Sequence, residues 1–467
     1  MRQRWLVLTA AAVMLSGCAT RGPITLACPI FDQTVFAAPP SRLEQDIQAD
    51  AGGNLRFATA AAGDNLADLK AATDSPSDPL RDAFRQRDAG DALKNADPTR
   101  GLEATPRPVT ALLLSGGGQW GAFGAGFLAG LPASNAGIDP DIVTGVSTGG
   151  LQSLFVVADQ FRPTETGKPS PLESNYTPTQ QADLVTANST FLTALTGSMA
   201  GIKPLRRAIE RALCDGGDPA RKCPMIETLA TSRRQGFIGF VEASSGRFMI
   251  ANVNRMALAD KPAYADTPAD RKTARDCLTS VALASAGMPL FFQPVRIKRS
   301  DADLGKVYYD GGVRQSVFLA TVAEAAADSM KRPLGQPQAT PPTLYVIRNG
   351  PTQLLGPDGT PGDNEKVDTK FDALTAALRA QSIIVNQVEI GSIAALRLFH
   401  PTGDIFLATA DGYQNHVWTD AYGQTRRCEK GEERFFNPDF MACLRSLGRA
   451  KAQRDTPWLS LSASNSP

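Results

Sequence analysis

The sequence predicts an α/β protein whose central sheet is mostly parallel and carries helices on both faces. One strand–turn–helix unit begins with the apolar run VTALLL at 109–114, passes through a glycine turn and continues with helical spacing in WGAFGAGFLAGL. A second unit follows in DIVTGVSTGGLQSLFVVA, where an apolar strand and an apolar helix flank residues 145–149. Two such units in series are typical of parallel strands connected by helices that pack on the sheet.

Further helices and strands follow along the chain. The spacing of apolar residues predicts helices at 205–213, 274–287 and 371–398, and strands at 306–312 and 343–350. The stretch 236–254 predicts a hairpin that turns at Ser245-Gly246. Proline and glycine indicate surface loops at 331–342 and 356–365, and the stretch after His416 is predicted to be an irregular appendage.

The composition is that of a globular protein with a near-neutral charge. The 467 residues, of which 42% are hydrophobic, are sufficient for one large core or two ordinary cores. The 48 Lys and Arg residues balance 47 Asp and Glu residues, so we expect neither a nucleic-acid partner nor electrostatic attraction to a membrane.

The N-terminus predicts export. MRQRWLVLTAAAVMLSGC has the basic start, apolar centre and small residues of a secretory signal. Its end, LSGC, resembles the lipobox of bacterial lipoproteins, which implies that the thiol of Cys18 takes a diacylglyceryl group. With Ala19 as the next residue, the resemblance implies a lipid anchor in the outer membrane of the cell envelope. An ordinary cleaved signal with an incidental cysteine is the alternative.

The cysteines also fit an exported protein. Of the seven, six remain without Cys18, an even number that suits disulfides in an oxidising compartment. Many pairings are open, and we favour those that are close in sequence, Cys214 with Cys223 and Cys428 with Cys443. Because C-x-x-C is absent and only two histidines occur, no metal site is expected.

Residues 112–126, LLLSGGGQWGAFGAG, form a glycine turn whose backbone N–H groups can face an anion. Gly116, Gly118 and Gly121 satisfy the G-x-G-x-x-G pattern of dinucleotide sites, which also requires an acidic residue at the end of the next strand. That strand ends instead in GVSTG and delivers a hydroxyl group. The turn is therefore predicted to stabilise the oxyanion of an acyl transfer, without a cofactor.

Ser147 lies at the centre of this G-x-S-x-G pentapeptide, between a strand and a helix. A serine in that position occupies a sharp, strained turn, and small neighbours such as Gly145 and Gly149 let the backbone pass. Both glycine turns would lie at the carboxyl ends of parallel strands, on the edge of the sheet where active sites form. Ser147 is therefore the candidate nucleophile.

The base that activates Ser147 has competing candidates. Asp310 ends a strand directly before two glycines, and partial burial would raise the pKa of its carboxyl group toward that of a useful base. His400 and His416 follow Ser147 in the chain, so the Ser-Asp-His order of an ordinary α/β-hydrolase esterase is also open.

The order of four motifs resembles the patatin-like phospholipase family over about residues 109–320. The motifs are Gly116-Gly117-Gly118-x-x-Gly121, Gly145-x-Ser147-x-Gly149, ASAGMPLFFQPV at 284–295, and Asp310-Gly311-Gly312. In the third motif, Gly287 replaces the second alanine of the family's A-S-x-A-x-P. The resemblance implies a three-layer sandwich and a lipid acyl hydrolase that uses a Ser-Asp dyad without histidine.

Carried over by position, the resemblance implies that Ser147 is the nucleophile, that Asp310 is its base, and that the amides of Gly117, Gly118 and Gln119 form the oxyanion hole. The substrate would be a lipid or another carboxylic ester. The family usually carries Arg or Lys where this chain has Trp120, a change that would weaken anion stabilisation or remove a preference for phosphorylated head groups. The alternatives are an esterase that uses a histidine and a non-catalytic envelope lipoprotein that retains the fold.

We accordingly expect four segments in the chain. Residues 1–17 are the lipoprotein signal peptide and residues 18–108 are a tether and N-terminal arm. Residues 109–400 are expected to be the patatin-like catalytic domain, and residues 401–467 a C-terminal appendage held by a disulfide. The sequence does not indicate an oligomeric state.

Overall fold

The computed structural model describes most of the chain from residue 22 onward. The described residues are 22–39, 79–86, 108–132, 138–165, 167–188, 198–315, 317–318, 322, 325–326, 340–353, 373–400, 403–420, 422–429 and 436–461. The predicted signal peptide, Cys18 and the predicted loop at 356–365 lie outside these residues, as does most of the loop at 331–342.

The strands are numbered in chain order. They are β1 (Ile24–Ala27), β2 (Val35–Ala37), β3 (Thr110–Leu114), β4 (Ile142–Val146), β5 (Thr186–Ala187), β6 (Ser198–Gly201), β7 (Gln235–Glu242), β8 (Phe248–Asn252), β9 (Leu290–Phe292), β10 (Val295–Lys298), β11 (Lys306–Asp310), β12 (Thr343–Arg348), β13 (Ile405–Thr409), β14 (Val417–Thr419), β15 (Thr425–Arg427) and β16 (Leu459–Ser460). Among the described residues, 11 of them form one sheet in the order β1-β10-β11-β7-β4-β3-β12-β13-β16, with β8 beside β7 and β2 beside β8.

The helices are also numbered in chain order. They are α1 (Phe31–Thr34), α2 (Gly121–Gly130), α3 (Thr148–Val157), α4 (Pro171–Asn175), α5 (Lys203–Leu213), α6 (Pro224–Thr231), α7 (Val253–Ala257), α8 (Pro268–Ser285), α9 (Ala373–Phe399) and α10 (Pro438–Ala452). The predicted helices at 205–213, 274–287 and 371–398 correspond to α5, α8 and α9, and the predicted hairpin is formed by β7 and β8.

The centre of the sheet is parallel and is flanked on each side by antiparallel pairs. Strands β7, β4, β3, β12 and β13 all run in one direction. Antiparallel strands flank them: β11 and β8 pair with β7, and β16 pairs with β13. The sheet is thus mixed with a parallel centre, as predicted from the two strand–turn–helix units.

Apolar layers cover both faces of the sheet. Because successive side chains of a strand point to opposite faces, Leu112 and Leu114 of β3 belong to one buried cluster, whereas Ala111 and Leu113 belong to the other. The first cluster includes side chains of α2, α3, α8 and α10, and the second includes Leu396 of α9. The predicted α/β sandwich with helices on both faces is confirmed.

The C-terminal part of the chain corrects one prediction. The stretch after His416 was expected to be irregular, but α10 is a regular helix that begins after the cap residue Asn437. It packs directly on α2, because a Cβ atom at Gly126 would lie 2.2 Å from the carbonyl oxygen of Arg445, and one at Gly448 would lie 2.3 Å from that of Phe123. Glycines at this contact let the two backbones approach.

Segments on both sides of residues 109–400 contribute to the central sheet. The N-terminal arm supplies β1 and β2, and the C-terminal segment supplies β13 and β16.

The favoured disulfides Cys214–Cys223 and Cys428–Cys443 are confirmed, and a third bond joins Cys28 to Cys277. None of the described helices combines the length and the hydropathy that crossing a bilayer requires.

Candidate active site

Ser147 occupies a strained turn between β4 and α3. Its φ of 55° and ψ of −125° are unusual for a residue other than glycine, and the side chain is 8% exposed. The turn is tight enough that a Cβ atom at Gly145 would lie 2.1 Å from the carbonyl oxygen of Gly149. The predicted strand–serine–helix turn is therefore present, and the N-terminus of α3 begins directly behind the hydroxyl group.

Strand β7 brings Ser147 and Asp310 together. β4 runs parallel to β7 and ends with Val146 opposite Gly239, whereas β11 runs antiparallel to β7 and ends with Asp310 opposite Phe240. β8 pairs with residues 237–241 of β7 and therefore occupies its other edge. Strands β4 and β11 thus approach each other end to end along one edge of β7, and the residue that follows β4 lies beside the last residue of β11.

The Asp310 carboxylate is buried and hydrogen-bonded. The Ser147 hydroxyl group is positioned to donate to it, which lowers its pKa, and the carboxylate accepts a hydrogen bond of 2.7 Å from the N–H of Gly312. Its own N–H donates to the carbonyl oxygen of Gly287 at 3.1 Å. Burial raises the pKa of Asp310 from 3.8 to about 7, although both hydrogen bonds oppose the shift. A carboxylate with this pKa can take up a proton near neutral pH.

Ser285 is a neighbour of the dyad that the sequence reasoning did not single out, although it lies within the 284–295 motif. Its hydroxyl oxygen accepts a hydrogen bond of 2.8 Å from the N–H of Ser147 and donates one of 2.7 Å to the carbonyl oxygen of Gly239. The Ser285 side chain is fully buried. It therefore joins the strained serine turn to the strand that aligns the two halves of the dyad.

The upstream glycine turn also lies at this edge of the sheet. Gly117 has a φ of 143°, and a Cβ atom there would lie 2.0 Å from the carbonyl oxygen of Asn349. Gly118 begins the short 3-10 helix Gly118–Trp120, whose first N–H groups have no acceptor within the helix. Gly118 and Ser147 line the same cavity, so the predicted anion-binding turn and the candidate nucleophile are adjacent.

The side chains of Gln119 and Trp120 hold the C-terminal part of the chain. The Gln119 Oε1 atom accepts a hydrogen bond of 3.0 Å from the N–H of Asn437, which caps α10. The Trp120 ring packs edge-on against Tyr413 and Phe440, with centroids 4.9 and 5.0 Å away. Trp120 is thus a packing residue between the glycine turn and α10.

An apolar cavity of about 90 Å³ extends from Ser147. Its walls are formed mostly by aliphatic and aromatic side chains; they include Leu151, Leu154, Leu205, Ile209, Phe292 and Met441. Phe123 and Phe127, which follow the glycine turn, are fully buried in the core instead. The cavity places an apolar volume directly beside the candidate nucleophile.

Neither histidine contacts the dyad. His400 is fully buried, and its Nε2 atom lies 2.8 Å from the carbonyl oxygen of Pro342. The Nε2 atom of His416 lies 3.0 Å from the hydroxyl oxygen of Ser446. Burial lowers the pKa of both imidazoles.

In the part of the chain that the structure describes, no three His, Cys, Asp or Glu side chains are grouped to hold a metal ion.

Comparisons with known proteins give a family match and a similar solved structure. The family model "Patatin-like phospholipase" matches residues 112–323. The crystal structure of VipD from Legionella pneumophila is similar at a TM-score of 0.30 and 13% sequence identity, covering 77% of this chain and 69% of the VipD chain. No curated protein matches the sequence. The match to the family model supports hydrolysis of lipid acyl esters in general terms, and it covers residues 112–323, slightly less than half of the chain.

Proposed function

We propose that this protein is a serine lipid acyl hydrolase that cleaves carboxylic esters through a dyad of Ser147 and Asp310. The observation that carries the proposal is the placement of Ser147, by strands β4, β7 and β11, beside the buried carboxylate of Asp310, whose pKa is about 7. A serine hydroxyl needs a base to become a nucleophile, and a base is most effective when its pKa is near the working pH. Asp310 meets both requirements, whereas His400 and His416 contact other groups.

In the first half of the reaction, Asp310 takes the hydroxyl proton as the Ser147 Oγ atom attacks the ester carbonyl carbon. The carbonyl oxygen becomes an oxyanion, which the N–H groups of Gly117, Gly118 and Gln119 stabilise in our proposal. The tetrahedral intermediate collapses, the alcohol leaves with the proton held by Asp310, and the acyl group remains on Ser147 as an ester.

In the second half, water replaces the alcohol. Asp310 takes a proton from the water molecule, whose oxygen attacks the acyl carbon, and a second oxyanion forms at the same N–H groups. Collapse breaks the bond to Ser147, the proton returns from Asp310 to the serine oxygen, and a fatty acid leaves. The apolar cavity beside Ser147 suits the acyl chain, because its walls offer hydrocarbon contacts along its length.

We also propose that the mature protein is attached to the bacterial outer membrane through a lipid on Cys18. The proposal rests on the LSGC sequence after an apolar signal and on three disulfides, which fit an oxidising compartment. A Cys18→Ser variant should leave the membrane fraction or remain unprocessed. Processing of the variant to the mature length together with an unchanged distribution between membrane and soluble fractions would contradict the anchor.

Labelling with a fluorophosphonate probe tests the enzyme directly, because only an activated serine reacts with it. We expect labelling of the wild type, none of Ser147→Ala, and a loss of labelling and of ester hydrolysis in Asp310→Asn. His400→Ala and His416→Ala are the matched controls. Loss of turnover in either histidine variant would favour the esterase alternative, and an unlabelled wild type would favour the non-catalytic lipoprotein.

A further inference from the structure

A second cavity, of about 260 Å³, lies on the other side of the glycine turn. It is more polar than the cavity at Ser147, and its lining includes the side chains of Arg348, Gln381, Asn386 and Glu389. Arg348 ends strand β12, and the other three project from helix α9. We call this volume the polar cavity.

The glycine turn separates the polar cavity from the apolar cavity at Ser147. Gly117 lines the polar cavity, whereas the next residue, Gly118, lines the apolar cavity together with Ser147. The neighbouring residues Phe291 and Phe292 are divided in the same way. An ester held at this turn would thus have an apolar volume on one side and a polar volume on the other, which is the distribution of polarity in a glycerophospholipid.

The Arg348 guanidinium group is only partly satisfied. It is 3% exposed and forms an ion pair of 3.0 Å with Glu389, while its Nη2 atom donates to the Oδ1 atom of Asn386 at 2.7 Å. The Nη1 atom has no hydrogen-bond partner in the described structure. A buried donor without an acceptor is costly, and a phosphate oxygen is a strong acceptor for guanidinium.

The other groups of the polar cavity indicate which head group fits. The Gln381 Oε1 atom is buried and has no donor among the described residues, although its Nε2 atom donates to the carbonyl oxygen of Pro289. Arg348 and Glu389 are the charged side chains that line the cavity, so their charges cancel. A head group with a net negative charge would leave that charge uncompensated in the cavity, whereas a phosphate with its own ammonium group adds no net charge. A primary ammonium group can also donate to Gln381, and a trimethylammonium group cannot.

We propose that the polar cavity is a subsite for the phosphoethanolamine head group of the substrate lipid, with Arg348 on the phosphate and Gln381 on the ammonium group. This inference rests on the proposed function, because the head group is held only while the ester of the same lipid lies at Ser147. Arg348 and Gln381 are specificity-determining residues, and Arg348 supplies from β12 the cation that the glycine turn lacks at Trp120.

The test uses the full-length lipidated protein in detergent micelles that contain one of three substrates with identical acyl chains: phosphatidylethanolamine, phosphatidylglycerol or diacylglycerol. For each variant, the ratio of kcat/KM between two substrates separates head-group recognition from any loss of folded protein. We expect the wild type to prefer phosphatidylethanolamine. Arg348→Met should lower the preference for phosphatidylethanolamine over diacylglycerol roughly tenfold, since one hydrogen bond to a charged group is lost.

Three more variants sharpen the test. Gln381→Leu alters a half-buried side chain and leaves the ion pair of Arg348 and Glu389 intact. It should lower the preference for phosphatidylethanolamine over phosphatidylglycerol. If Arg348→Met fails to fold, Gln381→Leu alone tests the subsite. Glu389→Gln should shift the preference toward phosphatidylglycerol, because Arg348 then lacks its counter-charge. Arg426→Met, which removes an arginine paired with Asp420 on the β14–β15 hairpin, is the matched control and should leave all ratios within about twofold.

The outcomes separate the two proposals. Unchanged ratios in Gln381→Leu and in every folded Arg348→Met preparation would overturn the subsite, while continued labelling of Ser147 by fluorophosphonate would leave the proposed function intact. A wild type that is neither labelled nor active on any of the three lipids would overturn the proposed function and the subsite with it. A wild type that cleaves diacylglycerol as fast as phosphatidylethanolamine would overturn the subsite alone.

Discussion

Replacing Asp310 by Asn should abolish activity and at the same time stabilise the fold at alkaline pH. The carboxylate is fully buried, and its pKa is raised from 3.8 to about 7, so the folded protein retains a proton that the unfolded chain releases between these two values. The free energy of unfolding therefore falls as the pH rises through this window. The difference between 3.8 and about 7 corresponds to about 4 kcal/mol of stability that is lost above pH 7.

An asparagine avoids this loss because it has no proton to release. Its Oδ1 atom can still accept from the N–H of Gly312, and its amide can donate to the Ser147 oxygen, so the contacts are kept. We expect Asp310→Asn to match the wild type near pH 4 and to exceed its free energy of unfolding by up to about 4 kcal/mol at pH 8. Denaturant titrations of both proteins at several pH values measure the difference.

The control is Asp183→Asn. Asp183 is half-buried, and hydrogen bonds from Thr179 and Gln180 lower its pKa, so its removal should not stabilise the protein at any pH. The pH dependence of kcat/KM gives an independent check on the wild type. The value of kcat/KM should rise about tenfold per pH unit below pH 7 and level off above pH 7, because only the deprotonated Asp310 acts as a base. Equal pH dependence of stability in wild type and Asp310→Asn would refute the reasoning.

Three further substitutions test the surroundings of the dyad. Ser285→Ala should lower kcat roughly tenfold or more with little change in KM, since the Ser147 N–H loses its buried acceptor, as separate kcat and KM measurements would show. Trp120→Arg should lower the free energy of unfolding by roughly 3 kcal/mol without raising activity, because its edge-on ring contacts are lost; a more active variant would contradict this. Gly117→Ala should abolish hydrolysis, since its Cβ atom would lie 2.0 Å from a carbonyl oxygen, whereas Gly391→Ala, with nothing within 4 Å, should remain fully active in the same ester assay.

The local features of the site could be predicted from the sequence because they obey steric rules that act over a few residues. A serine between a strand and a helix needs small neighbours, and the contact of 2.1 Å that a Cβ atom at Gly145 would make shows that the requirement is met. The same holds for Cys214 and Cys223, which are separated by only nine positions. In each case, chain proximity supplies most of the geometry.

Features that depend on the order and register of distant strands could not be predicted. Ser147 and Asp310 lie together because β4 and β11 meet on one edge of β7, but no pattern in either strand shows that β11 is antiparallel. The bond between Cys28 and Cys277 joins residues 249 positions apart, one directly after β1 and the other on helix α8. Helix α10 did have a local signal, since Asn437 and Pro438 are typical of a helix start and apolar residues follow at helical spacing.

The packing of the C-terminal segment fixes the glycine turn without a cationic side chain at position 120. The turn is held from several sides: Gly117 lies against the backbone of Asn349, the side chain of Gln119 binds the cap of α10, and Trp120 packs on Tyr413. An oxyanion hole is effective when its N–H groups are fixed before the reaction begins, since they then need no reorganisation in the transition state. Rigid packing can supply this fixation as well as a charge can. Because Trp120 supplies no charge, a charged head group of the substrate would have to be recognised at another part of the turn. The polar cavity, which Gly117 and Arg348 line, offers a charged side chain for that purpose.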